Sequence, residues 1–210
     1  MIIQWLGQSC FKISTKNTQG EFTIINDPYQ DSVGLKMSKL QADIVTVSTN
    51  QDGHNNVDAI KGDPFIITNP GEYEIKGVFI YGVPALMVKE KNKLTIFKVI
   101  CEDISIAHLS DLSQPLDNEQ IEKLGNVDIL LIPVGGKNSL DGKKAGEVIS
   151  QLDPRLVIPM NYKVDGQKTD LNTADDFLKS CGLKSETLDK LKVAKKDLMT
   201  EDTRVIVLTA

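Results

Sequence analysis

The first half of the chain alternates short apolar, β-branched runs with turn residues. Such runs cover 2–6, 10–14 and 22–25, with breaks at Gly7 and in the turn at 18–21, and they predict three early strands that we expect to be antiparallel. The run 43–48 is typical of a buried strand, which a polar loop at 49–56 follows. Further strands are predicted at 65–68, 73–81, 85–88, 94–99 and 104–108.

Helical periodicity appears only in the second half. Asp117, with Gln120 three places on, predicts the start of a helix that runs through Leu124 and ends at Gly125. A second helix is predicted from apolar residues spaced i, i+3, i+4 and i+7: Ala145, Val148, Ile149 and Leu152. Strands are predicted at 127–134, 156–160 and 204–208, and a third helix at about 173–181. This pattern predicts one α/β domain over residues 1–210, with two strand-rich halves around one core.

Composition narrows the functions that need to be considered. The chain has 24 basic and 29 acidic residues, a net charge of −5, and 40% hydrophobic and 25% charged residues, which is typical of a globular protein. Without a basic block, general binding to nucleic acids or anionic membranes is not expected. No apolar run reaches about 18 residues, and the amino terminus does not resemble a secretory signal. Three widely spaced cysteines argue against a disulfide framework and favour a reducing cytoplasm.

Candidate chemistry lies in four polar loops, 7–9, 49–56, 109–114 and 161–163. No G-x-S-x-G elbow, P-loop or G-x-G-x-x-G string is present. His54 and His108, the only two histidines, could act as acid–base groups or could be held structurally by backbone hydrogen bonds. Asp111 could bind a metal ion or simply form a turn.

Several strings, in this order, resemble the metallo-β-lactamase fold superfamily, and within it the small zinc-dependent hydrolases related to sugar-phosphate lactonases. The resemblance spans almost the whole chain and becomes loose after about residue 165. The strings are WLGQSCF at 5–11, DP at 27–28, GHNN at 53–56, NPGEYEI at 69–75, GVPA at 82–85, HLSDLSQ at 108–114, VDILLIPVGG at 127–136 and VIPMNY at 157–162.

The resemblance implies a four-layer αββα sandwich with one or two metal ions held in loops at one edge. Members of the family usually carry H-x-H-x-D-H, a later histidine, H-L-G-D-L-G-H with a bridging aspartate, and V-I-P-M-H-Y. Laid onto these strings without gaps, only His54 and Asp111 match ligand positions, and His108 matches a position that is not a standard ligand. The other positions hold Gln8, Thr49, Gln51, Gly53, Met87, Gln114 and Asn161.

A catalytic zinc ion needs about three protein ligands and an open position. The expectation from the sequence is therefore a metal-free pseudoenzyme without a cofactor, which acts as a binding or assembly module for a small molecule or a protein. Glutamine and asparagine could close a neutral hydrogen-bond network where the ion would be. The predicted pocket at this place comprises Gln8, Asp27, Thr49, Gln51, Asp52, His54, His108, Asp111 and Asn161.

Three alternatives stay open. Neutral drift in an unused cleft would also replace ligands. The second alternative is a metal-dependent hydrolase of a phosphorylated or lactone-type small molecule, with a weakly bound divalent ion held by His54, Asp111 and either Asp52 or Asp27. The third is metal-free acid–base catalysis by His54 with Asp111, which needs the two within hydrogen-bond reach. The sequence does not indicate an oligomeric state.

Overall fold

We describe the protein from a computed structural model, in which residues 1–87, 92–199 and 202–210 are described. The strands in chain order are β1 (Ile2–Trp5), β2 (Phe11–Asn17), β3 (Gly20–Asn26), β4 (Leu40–Gln41), β5 (Ile44–Thr46), β6 (Ile60–Lys61), β7 (Phe65–Ile67), β8 (Gly71–Ile75), β9 (Val78–Met87), β10 (Asn92–Cys101), β11 (Ile104–His108), β12 (Ile129–Pro133), β13 (Leu156–Met160), β14 (Ser185–Leu188), β15 (Leu191–Lys192) and β16 (Arg204–Leu208). The α-helices are α1 (Asn118–Leu124), α2 (Gly142–Leu152) and α3 (Asp175–Cys181).

Two large sheets form the centre of the fold. One has the strand order β15-β1-β2-β3-β5-β7, and the other has the order β14-β16-β13-β12-β11-β10-β9-β8. In the first sheet β1, β2 and β3 are antiparallel, as the sequence predicts, and β5 and β7 continue it in parallel. In the second, β8 to β11 are antiparallel, and β11, β12, β13 and β16 are parallel. All five residues of β12 are buried, as expected for a parallel strand covered on both faces.

Alternating side chains explain why the sheets stack. In the first sheet Ile24 and Ile44 point into the main core, which also contains β11 and β12 residues of the second sheet, whereas their neighbours Ile25 and Val45 point to the other face. There a smaller cluster forms beneath the loop 27–39, two short 3₁₀ turns and the β4–β6 ribbon. The α/β sandwich is thus confirmed, and one of its outer layers is made of turns and a ribbon.

The helices follow the local sequence rules closely. Asp117 and Gln120 exchange side-chain and backbone hydrogen bonds at the start of α1, and Gly125 ends it. The predicted apolar stripe of α2 is buried. Among the described residues, no helix has the length and apolar character that a membrane span requires.

One predicted strand is wrong, and some short strands were missed. The run 73–81 is a hairpin, because Lys76 and Gly77 both adopt positive φ angles, of 51° and 75°, and turn the chain between β8 and β9. The strands β14 and β15 were not predicted from the sequence. The assignment of residues 1–210 to one domain stays a prediction.

Candidate functional site

Loops that leave four strands, two in each large sheet, meet at one end of the sandwich. Asp27 directly follows β3, His54 lies in the loop after β5, Asp111 lies in the loop after β11, and Asn161 directly follows β13. These are carboxyl ends of strands, where α/β sheets commonly bind their ligands. The architecture therefore brings together side chains that are up to about 130 positions apart in the chain.

Asp27 is fully buried and is held by two serines. Its Oδ1 accepts a hydrogen bond from the backbone N–H of Ser48 at 2.8 Å. Its Oδ2 accepts from the hydroxyls of Ser48 at 2.7 Å and Ser110 at 2.8 Å, and the two hydroxyls also lie within hydrogen-bond reach of each other. A buried carboxylate needs such donors, because an unsatisfied charge would be costly. Asp27 is thus fixed in orientation at the floor of the site.

His54 lies between two carboxylates. Its Nε2 is 3.5 Å from Oδ1 of Asp111 and 3.9 Å from Oδ2 of Asp27, distances of ion pairs without well-formed hydrogen bonds. Burial lowers the pKa of His54, but attraction to Asp111 and then to Asp27 outweighs it and raises the pKa to about 9. Burial also opposes the charge of Asp111, yet His54 holds the pKa of that carboxyl below its ordinary value.

His108, like His54, lies close to the Asp27 carboxylate. Its Nδ1 is 3.8 Å from Oδ2 of Asp27, and its Nε2 is 2.7 Å from the carbonyl oxygen of Ser9. Burial lowers the pKa of His108. Among buried side-chain atoms in the described structure, both nitrogens of His54 and the Nδ1 of His108 make no hydrogen bond.

Asn161 and Ser9 also contact Asp111. Its side-chain amide donates to Oδ1 of Asp111, and its backbone N–H donates to the carbonyl oxygen of Gln8 at 2.9 Å. The hydroxyl of Ser9 lies 3.5 Å from the same Oδ1. The side chain of Gln8 is turned away, and its Nε2 donates to Thr169 at 3.5 Å. Gln8 therefore contributes its backbone to the site.

Other predicted pocket residues lie further out. Thr49 and Gln51, together with Gln114 from outside the predicted pocket, line a cavity of about 1120 Å³ that adjoins the carboxylate cluster through Ser48. Asp52 is exposed and accepts a hydrogen bond from Ser32, so it lies outside the cluster. Of the two carboxylates considered beside His54 and Asp111, the structure therefore brings Asp27 to the cluster. The side chain of Met87 lies outside the described part of the structure.

Sequence reasoning missed Ser9, Ser48 and Ser110. Serines are common in turns, so their residue type carried no signal. Ser110 had one available signal, because it stands at a glycine of the family string H-L-G-D. The structure gives the reason for that glycine, since Ser110 has a φ of +48°, in the left-handed region.

The chain is similar to known proteins over most of its length. Residues 2–161 match the model of a beta-lactamase superfamily domain. The chain belongs to the metallo-β-lactamase superfamily. A solved structure of a proposed Zn-dependent hydrolase of this superfamily from Thermotoga maritima is similar to it, with a TM-score of 0.80 and 31% identity, covering 99% of this chain and 97% of that one.

Relatives within the superfamily are named as metal-dependent enzymes. A UPF0173 metal-dependent hydrolase from Thermococcus onnurineus is 26% identical over 193 residues, which cover 76% of this chain and 84% of that protein. One from Pyrococcus horikoshii is 35% identical over 100 residues, 45% of this chain and 44% of that protein. A structure of a metallo hydrolase from Ignicoccus hospitalis shares the fold, with a TM-score of 0.66 and 17% identity.

These relatives overturn two expectations from the sequence. The interpretation as a metal-free pseudoenzyme is wrong, and so is the expectation of no cofactor, because similar proteins are named metal-dependent hydrolases. The physical reason is that counting replaced histidines ignored what remains. The buried carboxylate of Asp27, the partly buried carboxylate of Asp111 and two buried imidazoles still converge, and a cluster with this donor set suits a divalent cation.

The fit of a metal ion can be tested on these atoms. As placed, no group of three His, Cys, Asp or Glu side chains within the described ranges encloses a metal position. Two ligands of one ion lie roughly 3.0–3.5 Å apart, because each is about 2.1 Å from it. The separation of 3.5 Å between His54 and Asp111 lies at the upper end of this range. The separation of 3.9 Å between His54 and Asp27 is slightly longer. The unpartnered imidazole nitrogens supply free ligand atoms, so the donor chemistry of these residues fits a divalent ion.

Proposed function

We propose that this protein is a metal-dependent hydrolase of a phosphorylated or lactone-type small molecule. The observation that carries the proposal is the convergence of His54, Asp27 and Asp111, with imidazole nitrogens free of hydrogen bonds, in a chain of this superfamily. These three residues would hold the ion. When bound, a divalent ion supplies positive charge that polarises a carbonyl or phosphoryl oxygen and lowers the pKa of a water molecule to about 7.

The remaining residues position this set. Ser48 and Ser110 hold the Asp27 carboxylate in one orientation through three hydrogen bonds. Asn161 donates its amide to Asp111 and so fixes the rotation of that carboxylate. Supporting hydrogen bonds of this kind orient ligands and tune their affinity for metal. Thr49, Gln51 and Gln114 offer hydrogen-bonding groups to a substrate in the adjoining cavity.

The experiment combines metal analysis with activity. The purified protein is stripped with a chelator, incubated with Zn²⁺ or Mn²⁺, and analysed for bound metal and for hydrolysis of a γ-lactone and of p-nitrophenyl phosphate esters. We expect bound metal and cleavage of one class. Asp111→Asn should lower kcat/KM and metal affinity at least about 100-fold, because it removes a charged ligand.

The matched control is Asp189→Asn, the same chemical change at an exposed carboxylate that pairs only with Lys190 among the described ion pairs. It should behave as the unmodified protein does. A wild-type protein that takes up neither ion and cleaves neither class would refute the proposal. We also propose a cytoplasmic location, which the three free cysteines Cys10, Cys101 and Cys181 support.

A further inference from the structure

The family string does not use the residue at His108 as a ligand, yet in this protein the ring is buried beside Asp27. Its ring is 1% exposed and lies against Phe11, and its Nε2 is 2.7 Å from the carbonyl oxygen of Ser9. Its Nδ1 makes no hydrogen bond and faces Oδ2 of Asp27 at 3.8 Å. Because the large majority of buried side-chain polar atoms have a hydrogen-bond partner, the bare Nδ1 needs an explanation.

The contact with Ser9 fixes the tautomer. A carbonyl oxygen only accepts hydrogen bonds, so Nε2 of His108 must carry the proton. A neutral imidazole has one N–H, which leaves a lone pair on Nδ1. This lone pair faces the carboxylate of Asp27, and two electron-rich groups in a buried place repel each other. A cation between them removes that repulsion.

We propose that Nδ1 of His108 is a ligand of the metal ion in this protein, at a position where the family pattern has none. The inference rests on the proposed metal-dependent function. His108 then makes up for imidazoles absent at Thr49, Gln51 and Asn161, and the ion is held by two histidines and two aspartates. The Ser9 carbonyl acts on His108 as the second shell does on metal-bound histidines, by holding the other ring nitrogen.

Asp27 can take this role while it keeps two of its three hydrogen bonds. Its Oδ2 receives two hydroxyl hydrogen bonds, from Ser48 and Ser110. Because these hydroxyls also lie within reach of each other, one of them can donate to the other instead of to Asp27. That change frees a lone pair on Oδ2, an atom that lies 3.9 Å from Nε2 of His54 and 3.8 Å from Nδ1 of His108.

Two substitutions separate the ligand role from the tether to Ser9. In His108→Gln, the side-chain amide nitrogen is as many bonds from Cβ as Nε2, so the hydrogen bond to Ser9 is kept and the ligand atom is lost. In His108→Asn, an amide oxygen stands at the place of Nδ1 and the tether is lost. We expect His108→Gln to weaken Zn²⁺ and Co²⁺ affinity at least about 10-fold, and more than His108→Asn does. The reverse order would show that only the tether matters.

Nuclear magnetic resonance of the unmodified protein gives a second measurement. Because the chain contains only two histidines, ¹⁵N-histidine labelling gives two imidazole spin systems. The His54→Gln variant tells them apart. Addition of Zn²⁺ to the metal-free protein should shift Nδ1 of His108 and Nε2 of His54. This measurement decides the question even if a His108 variant does not fold.

The outcomes separate the two proposals. If the wild-type protein binds Zn²⁺ and the Nδ1 signal of His108 does not shift, or His108→Gln binds as tightly as wild type, the role of His108 is refuted and the hydrolase proposal stands. If the wild-type protein takes up no ion, both proposals fail. A shift of Nδ1 together with weaker binding by His108→Gln supports both.

Discussion

Four of the nine non-glycine residues with a positive φ in the described structure lie at the site. Gln8, Asp27, Ser110 and Asn161 all have φ between 45° and 51°, in the left-handed region that disfavours side chains with a Cβ. Each such residue costs on the order of 1–3 kcal/mol, so the rest of the fold must impose the conformation. All four lie in loops at the cluster of carboxylates. These strained conformations therefore orient the side chains and carbonyl groups of the loops that surround the carboxylates.

Titration of His54 predicts that the free energy of unfolding depends on pH. Its pKa rises from 6.5 in the unfolded chain to about 9 in the metal-free fold. A raised pKa stabilises the fold fully below about pH 6.5, and the stabilisation is lost as the pH rises through about 9. We expect chelated protein to lose about 3 kcal/mol of unfolding free energy over this window, measured by urea denaturation.

The control for this effect is His54→Gln, which has no proton to lose. The difference in unfolding free energy between wild type and His54→Gln isolates His54 from the other groups that titrate in the same range. A difference that stays constant from pH 6 to 9.5 would contradict the prediction. Saturating metal should also abolish the pH dependence, because the ion replaces the proton.

The predictability of the site differs from residue to residue. His54 and Asp111 could be located because they stand in strings with an unusual order. Ser48 and Ser110 could not, since only the fold brings their hydroxyls to Asp27. The orientation of His108 depends on a carbonyl 99 positions away, which no local pattern encodes. Counting ligand types along the chain therefore underestimated the donor set that the fold assembles.

At the scale of elements, turns were predicted least well from the sequence. Long apolar runs gave the parallel strands β12 and β13, because burial on both faces leaves few other choices. The β8–β9 hairpin was missed, since its two-residue turn interrupts a continuous β-rich run. The strand β14 was missed because three of its four residues are exposed, so it has no apolar pattern.

The hairpin turn gives a prediction with an internal control. Gly77 has a φ of +75°, and a Cβ there would lie 3.0 Å from Nδ2 of Asn17, which itself donates to the carbonyl oxygen of Lys76. Gly77→Ala should destabilise the protein by about 1 kcal/mol. Gly146→Ala, in α2 with no atom within 4 Å of a new Cβ, should stabilise it by about 0.5–1 kcal/mol. Both are measured by urea denaturation, and equal signs would contradict the turn.

At the scale of the whole molecule, the cavity connects the two sheets. Ser48 and Thr49 come from the end of β5 in one sheet, whereas Pro84 and Thr95 come from β9 and β10 in the other. The loop after β11 contributes Gln114. Because both sheets and their loops shape this space, its form could not be derived from periodicity. A substrate placed there would lie beside the carboxylate cluster, since Ser48 touches both.

This arrangement predicts that the cavity and the metal cluster can be altered separately. Gln114 is exposed in the cavity and lies three residues after Asp111. Gln114→Trp should fill part of the space and lower kcat/KM for the cleaved lactone or phosphate ester about 10-fold, through misplacement of the substrate. Metal affinity should stay unchanged, because no described contact joins Gln114 to the carboxylates. Lys179→Trp, an equally large change on exposed α3, is the control and should leave kcat/KM unaltered. If Gln114→Trp weakened metal binding as much as catalysis, the cavity and the cluster would be one unit, and the division of roles between them would be wrong.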